Sequence, residues 1–294
     1  MTPSLVSSPA MEPFLDSFFI ENESAKKFLP TSPEFSLKKI FPYFADNDGI
    51  FEIAHAFRDE SISNLHLPEF TMWEWYQKNT MYERLDEFLR EFIYLLFQYF
   101  AVNHSIPAFE KKTLRGYIYE KTEITISPEM RAADYKTLCD SLGIQLRLNR
   151  KQMSDEIFER YAGIQYFTMF MENHIQKFLN HEKKFLCIIE FPEFVRGMAK
   201  LSKSGWAQRM ELYYSGIEIA NGYQELDDRE EILKEWNLNN EIRKENGKSS
   251  NPVDEKLVSV SSAMKEVSGM ALGVERLLMS LFNFQDISVF RSEY

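Results

Sequence analysis

The sequence predicts an α+β fold in which an antiparallel β-sheet is flanked by helices. Three observations predict it. Aromatic residues are plentiful, with 25 Phe and 14 Tyr in 294 residues, and aromatics favour sheets and packed cores. Apolar runs of strand length come in pairs joined by turns. Helical periodicity falls beside those pairs instead of alternating regularly with single strands, which argues against a parallel, doubly wound sheet.

Taken in order, residues 1–20 read as a proline-containing loop ending in a short apolar stretch. The segment from Glu34 to Phe44 reads as a short amphipathic helix, and Asn47-Asp48-Gly49 as a turn. IFEIAHAFR at 50–58 reads as a strand, the polar stretch 59–66 as a loop, and EFTMWEWY at 69–76 as the return strand of a long hairpin. Within 82–102, Leu85, Phe88, Leu89 and Phe92 recur at three- and four-residue spacing, which predicts a helix. Residues 110–180 read as mainly helical, and FLCIIEF at 185–191 as a buried strand. Two short strands flank Ser215-Gly216 within 209–220, followed by a charged helix and polar loop over 227–250. Last, 269–282 is a Gly-punctuated strand opening into an apolar helix.

A composition of 44% hydrophobic and 27% charged residues is enough to build a large core. Residues 1–294 are read as a single domain. The formal net charge of −11 opposes general affinity for nucleic acid, which rests on neutralising phosphates. The basic pairs Lys111-Lys112 and Lys183-Lys184 are most simply solvated surface. Cys139 and Cys187 have no metal-finger spacing, so a reducing cytoplasm is the expected setting, each thiol packing as a small apolar group. The N-terminus has no secretory pattern, and the most apolar helix, near 91–102, is too short to span a bilayer. No membrane association is expected.

Four groups of residues could carry chemistry. Alternation places Phe70, Met72, Glu74 and Tyr76 on one strand face, where a carboxylate, a phenol and an aromatic would suit a cationic ligand. Arg58 ends the preceding strand, with Glu60 just beyond, and Arg suits bidentate phosphate contact. Glu211, Glu218 and Glu225, with Asn221, offer oxygen ligands for Mg²⁺ or an amine. Gly269 and Gly273 precede Arg276, where close backbone approach and a helix start favour phosphate. Taken singly, each is more often a surface or packing feature.

Taken together they are specific. TSPEF at 31–35, FRDE at 57–60, HLPEFTMWEWY at 66–76, GIEIANGYQEL at 216–226 and GMALGVERLLM at 269–279 occur in this order. They resemble the lysyl-tRNA synthetase family of class II enzymes. The hairpin corresponds to motif 2 and the terminal strand–helix to motif 3. Within that family the likeness is greatest to the elongation factor P–lysine ligase branch, which lacks the anticodon-binding domain. Ala271 points the same way, because it stands where the synthetases usually carry Gly and that branch carries Ala.

The resemblance implies a class II synthetase catalytic core that activates lysine or (R)-β-lysine with ATP and Mg²⁺. Elongation factor P is the implied acceptor, and tRNA is disfavoured. Arg58 and Arg276 would be catalytic. The ATP site would comprise Arg58, Glu60, His66, Phe70, Glu211, Leu212, Gly273 and Arg276, with Glu211 and Glu218 holding metal. The amino acid would meet Ser32, Pro33, Glu34, Glu74, Tyr76, Glu218, Asn221, Glu225 and Ala271. Two positions depart from the family pattern: Leu67 replaces Asn, and Glu275 replaces Asp. TPSLVSSPAMEPF resembles the end of motif 1, with Pro3 or Pro9 as its proline. The long motif 1 helix that builds the family's homodimer interface is not found ahead of it.

Overall fold

The computed structural model describes residues 1–22, 25–44, 46–100, 106–150 and 152–291. The N-terminal segment carries a small hairpin, β1 (Phe19–Glu21) with β2 (Lys26–Phe28), which the sequence pattern does not announce. Helix α1 (Glu34–Ile40) follows Pro33, with acidic Glu34 in its first turn and Lys38 and Lys39 in its last, as the helix dipole favours. It continues as a 3₁₀ turn to Phe44.

The long hairpin forms as expected. Strand β3 (Gly49–Phe57) pairs antiparallel with β4 (Glu69–Lys78). Helix α2 (Leu85–Tyr99) then buries Leu85, Leu89, Ile93 and Phe97, one four-residue stripe, against the sheet. The region read as mainly helical opens instead on a strand, β5 (Phe109–Thr113). Helices α3 (Leu114–Thr122), α4 (Ala132–Ser141), α5 (Asp155–Phe170) and α6 (Gln176–Leu179) follow. Strand β6 (Phe185–Phe191) leads to β7 (Ala207–Tyr214) and β8 (Ile217–Gln224). The turn between the last two places Ser215 and Gly216 at positive φ, 49° and 81°, the backbone a two-residue hairpin loop requires. Helix α7 (Arg229–Glu245) is capped by the Asp228 side chain, which accepts from the Glu231 N–H. After α8 (Glu255–Ser259), β9 (Val267–Gly273) runs directly into α9 (Val274–Phe282).

Among the described residues, seven strands form one sheet in the order β3-β4-β9-β8-β7-β6-β5. Every neighbouring pair is antiparallel except β5–β6, which is parallel. The sheet is therefore antiparallel, as expected, but for this one parallel pair at its edge. Lys111 and Lys112 lie on this edge strand, paired to Asp86 at 2.8 Å and to Glu110 at 3.0 Å, so they form no free basic patch. Lys184 likewise meets Glu110 and Glu182.

One sheet face packs Trp75, Met210, Leu212, Met270 and Leu272 under α2 and α9. A second core gathers α3, α4 and α5 around Leu186 and Ile188 of β6, and a third joins Phe35 of α1 to Trp236 of α7 and to α8. Cys139 and Cys187 are buried free thiols within the first two. Among the described residues no helix is long and apolar enough to cross a membrane.

Candidate active site

Cross-strand register builds the site. Glu74 lies opposite Ala271, Ala271 opposite Asn221, and Asn221 opposite Glu211. Two residues along, Tyr76 lies opposite Gly269, and Gly269 opposite Tyr223. Residues two apart on a strand share a face, so the two rows make one surface. A pocket partly open to solvent lies over it. Gly269 is required there: a Cβ would come within 2.4 Å of the Tyr76 ring and 2.6 Å of Glu225 Oε1. At Gly273 a Cβ would meet only the Arg276 side chain, at 3.7 Å. Nothing in the fold demands glycine at that point of the wall, and its absence of side chain leaves room for a ligand.

The pocket gathers most of the residues that the sequence singled out. Ser32 and Glu34 line it from the α1 start, Arg58, Glu60 and His66 from the hairpin tip, and Phe70, Glu74 and Tyr76 from β4. Glu218, Asn221 and Glu225 come from β8 and its end, Ala271 and Gly273 from β9, and Arg276 from α9. Three residues stand outside the lining. Pro33 is the residue before α1 and shapes its entry. Glu211 sits one strand beyond Asn221. The side chain of Leu212 points to the opposite face of β7, fully buried under α2. The expectation of Leu212 at the ATP site is thereby corrected for its side chain, because alternation after Glu211 turns it into the core.

One end of the pocket is acidic. Tyr76 donates its hydroxyl to Glu74 Oε1, and Tyr223 to Glu34 Oε1. Lys38, 1% exposed, places its ammonium 2.6 Å from Glu34 Oε1 and 2.5 Å from Glu225 Oε2. Burial, reinforced by Glu34, raises the Glu74 carboxyl well above the ordinary range. Burial likewise pushes Glu225 up to about 8, against the pull of Lys38. Burial alone would lower Lys38, but Glu225 and Glu34 outweigh it and the net shift is upward.

The other end is cationic. The Arg58 guanidinium lies over the Phe70 ring at 5.1 Å, and its Nε is buried with no hydrogen-bond partner among the described residues. Arg276 donates from Nε to the Leu65 carbonyl at 3.2 Å and from one terminal nitrogen to the Glu218 carbonyl at 3.0 Å. Among the described residues neither guanidinium is in an ion pair with a carboxylate, which leaves both charges for an anion. Burial, with Arg276 adding to it, lowers the His66 pKa, while Nδ1 of this ring is 2.8 Å from Ser63 Oγ. Beside this end, Glu211 accepts from Arg209 at 2.7 Å and from Tyr213. Burial, opposed by Arg209 and reinforced by Glu218, pushes Glu211 up to about 7. A buried carboxylate whose proton affinity is raised by a neighbouring carboxylate belongs to a donor set suited to a hard divalent cation.

The two departures have structural consequences. Leu67 is buried against Met279 and Ile287, an apolar contact that closes the pocket wall behind the hairpin tip. Glu275 accepts the Thr71 N–H on both oxygens, at 2.9 and 3.0 Å, and pairs with Arg291 at 3.0 Å. It ties β4 to α9 and to the C-terminal segment. Sequence reasoning missed Glu12, Tyr223 and Lys38. Tyr223 shares the alternation of Asn221 and Glu225, and Lys38 stands four residues after Glu34; both signals were available. Glu12, from the N-terminal segment, carries no local signal.

Comparison with known proteins identifies the family. A family model of the class II tRNA synthetases (D, K and N) matches residues 1–291. The elongation factor P–(R)-β-lysine ligase homolog of Aquifex aeolicus (strain VF5) is 30% identical over 96% of this chain and 86% of its own length. The elongation factor P–(R)-β-lysine ligase of Yersinia pestis (strain Pestoides F) is 30% identical over 89% of this chain and 75% of its own. The ligase of the same name from Yersinia pseudotuberculosis serotype O:1b (strain IP 31758) matches equally. The chain belongs to the class II tRNA synthetases of the D, K and N group, ATP-dependent ligases.

Proposed function

We propose that the chain, as one catalytic domain over residues 1–294, activates lysine or (R)-β-lysine with ATP and transfers it to a lysine of elongation factor P in the cytoplasm. The observation that carries the reading is the polarity of the pocket, with Glu34, Glu74 and Glu225 at one end and Arg58 and Arg276 at the other. That polarity matches an amino acid with two ammonium groups whose carboxylate faces the phosphates. The names of the relatives support the same substrate and acceptor.

In the first step a carboxylate oxygen of the amino acid bonds to the α-phosphorus as the bond to the β-phosphate oxygen breaks, and pyrophosphate leaves. The carboxylate is already ionised at neutral pH, so no general base is needed. Arg58 holds the α-phosphate, and His66 and Arg276 the outer phosphates. Phe70 stacks on adenine, Glu60 reaches its edge, and the open wall at Gly273 admits the nucleotide. Glu34 takes the amine near the reacting carboxylate, and Glu74 with Tyr76 the distant one. Ser32, Asn221 and Ala271 shape the remaining wall, with Pro33 setting the α1 entry. Rate comes from alignment and from fixed positive charge at the reacting phosphate. Glu211 and Glu218 are the residues that would hold Mg²⁺, which supplies further phosphate neutralisation. In the second step the unprotonated acceptor amine attacks the acyl carbon, AMP leaves, and a proton is released.

Amino-acid-dependent ATP–pyrophosphate exchange, with L-α-lysine and (R)-β-lysine in parallel, tests the reading. Exchange favouring β-lysine is expected. Preference for α-lysine with charging of tRNA replaces it by a synthetase, and no exchange with either amino acid overturns it.

A further inference from the structure

Lys38 stands apart from every other cation of the site. It does not line the pocket, yet its ammonium is buried directly behind the acidic end, between Glu34 and Glu225 and beside the rings of Tyr76 and Tyr223 at 5.5 and 5.2 Å. Of the other lysines nearby, Lys39 is paired with Asp254 at 2.5 Å, and Lys200 with Asp227 at 2.8 Å, from where it acts on Glu225 at longer range. The contacts follow one pattern. Glu74 has Oε1 held by Tyr76 and Oε2 buried with no hydrogen-bond partner among the described residues; Glu225 has Oε2 in the ion pair with Lys38 and Oε1 buried, likewise without a hydrogen-bond partner among them. Glu34 has Oε1 held by both Lys38 and Tyr223. Protein donors thus fix one oxygen of each carboxylate, and the unpartnered oxygens of Glu74 and Glu225 are left to a ligand. Among the described residues these three carboxylates share one directly paired cation, Lys38, which leaves two of their charges without a paired ammonium.

We propose that Lys38 is a positioning residue that sets the charge the pocket demands: it cross-links Glu34 and Glu225, supplies one of three required cations, and so selects a ligand that brings two ammonium groups. This rests on the functional reading above and gives it a selectivity rule. A ligand with one ammonium leaves a buried carboxylate without a counter-charge, which that carboxylate can relieve only by binding a proton. Removing Lys38 creates the same deficit with the correct ligand bound.

The groups facing Glu225 define how pH enters. They are Lys38 and Glu34 from α1, Tyr76 and Glu74 from β4, Tyr223 from β8, and Lys200. Glu12, from the N-terminal segment, is itself raised by burial, with Glu34 adding to it and Arg58 opposing it. With Lys38 present, an ammonium must displace a proton held by this cluster. Without Lys38 the cluster holds its protons more tightly, and the pH at which lysine binds well moves up.

The test compares the full chain with Lys38→Met and with Lys38→Met/Glu225→Gln, which removes the buried pair together and leaves neither charge orphaned. ATP–pyrophosphate exchange and lysine-dependent thermal shift are read from pH 6 to 9, with norleucine as the single-ammonium ligand. Lys38→Met is expected to raise KM for lysine at least tenfold with little change in kcat, and to move the rising limb of the pH profile upward by a unit or more. The double variant is expected to recover most of the KM loss and to lose the upward shift of the limb together with the limb that Glu225 contributes, while still rejecting norleucine. If Lys38→Met does not fold, recovery in the double variant, set against Glu225→Gln alone with its weakened rejection of norleucine, decides the same question. Wild-type exchange with Lys38→Met at the wild-type KM and limb overturns the role of Lys38 alone, as does a double variant no better than the single one. Absence of both exchange and binding in the wild-type chain overturns the functional reading and this proposal together.

Discussion

At the acidic end of the pocket, Tyr76, Tyr223 and Lys38 already hold one oxygen of each carboxylate. At the cationic end, among the described residues, the Arg58 guanidinium lies over an aromatic face and Arg276 donates to carbonyl oxygens. Burial works differently on the two. An arginine keeps its charge when buried and is ready for an anion at any ordinary pH. A carboxylate in a surplus of acids takes up a proton, and its readiness depends on pH. The first end is a fixed electrostatic tool; the second is a tuned receptor whose charge is completed by its ligand.

Four measurements would sharpen or break this division. The largest effect is expected from Arg58→Ala, which should cut adenylate formation about 10²–10³-fold, on the scale of one lost oxyanion donor, while leaving lysine-dependent thermal stabilisation intact. A matching loss of lysine binding would show that the two ends are not separate. Next, Glu74→Gln should raise KM for lysine by about 10–100-fold, the worth of a charged hydrogen bond at about 1.5–3 kcal/mol, with KM for ATP unmoved in the same exchange assay.

The third contrast is in pH. Glu225, raised to about 8 in the free chain, is protonated below that pH, and an ammonium needs its ionised form. Lysine affinity should therefore rise with pH through about 8, by up to about tenfold per unit for one displaced proton. It should fall again once the ligand's own ammonium deprotonates. Calorimetric titration with lysine in buffers of different ionisation heat would read the released proton directly; binding without proton release would sink the account of the acid cluster. The smallest effect is expected from Ala271→Gly. Ala271 lies between Glu74 and Asn221 in the sheet, and one methyl group there is worth about 1–3 kcal/mol of discrimination. The ratio of α- to β-lysine exchange should shift toward α-lysine by about tenfold or more; an unchanged ratio would remove Ala271 from the specificity wall.

Much of this site was legible before any coordinates. Period-two alternation put Glu74 and Tyr76 on one face, and the same rule turned Trp73 and Trp75 to the other, where Phe88 and Phe92 of α2 meet them. The β7–β8 turn was announced by Ser215-Gly216. Strand β5 was not legible, since its sequence FEKKT has no apolar alternation and its pairing partner in β6 is far along the chain. Its lysines are acceptable in a strand because it lies at the sheet edge and their ammoniums reach Asp86, Glu110 and Glu120. Glu12 was missed for a related reason: nothing local tells a proline-rich segment which pocket it will border.

The sequence by itself determined which residue types were present, their order, and which of them share a strand face or helix turn, because backbone geometry repeats over two or about 3.6 residues. Only the tertiary structure decided that β9 lies between β4 and β8, so that Glu74, Ala271 and Asn221 form one row. It also decided that Lys38, an ordinary helix lysine by local pattern, ends with its charge buried between Glu34 and Glu225. Strand order and the burial of a charge depend on contacts between distant parts of the chain, and local periodicity carries no record of them.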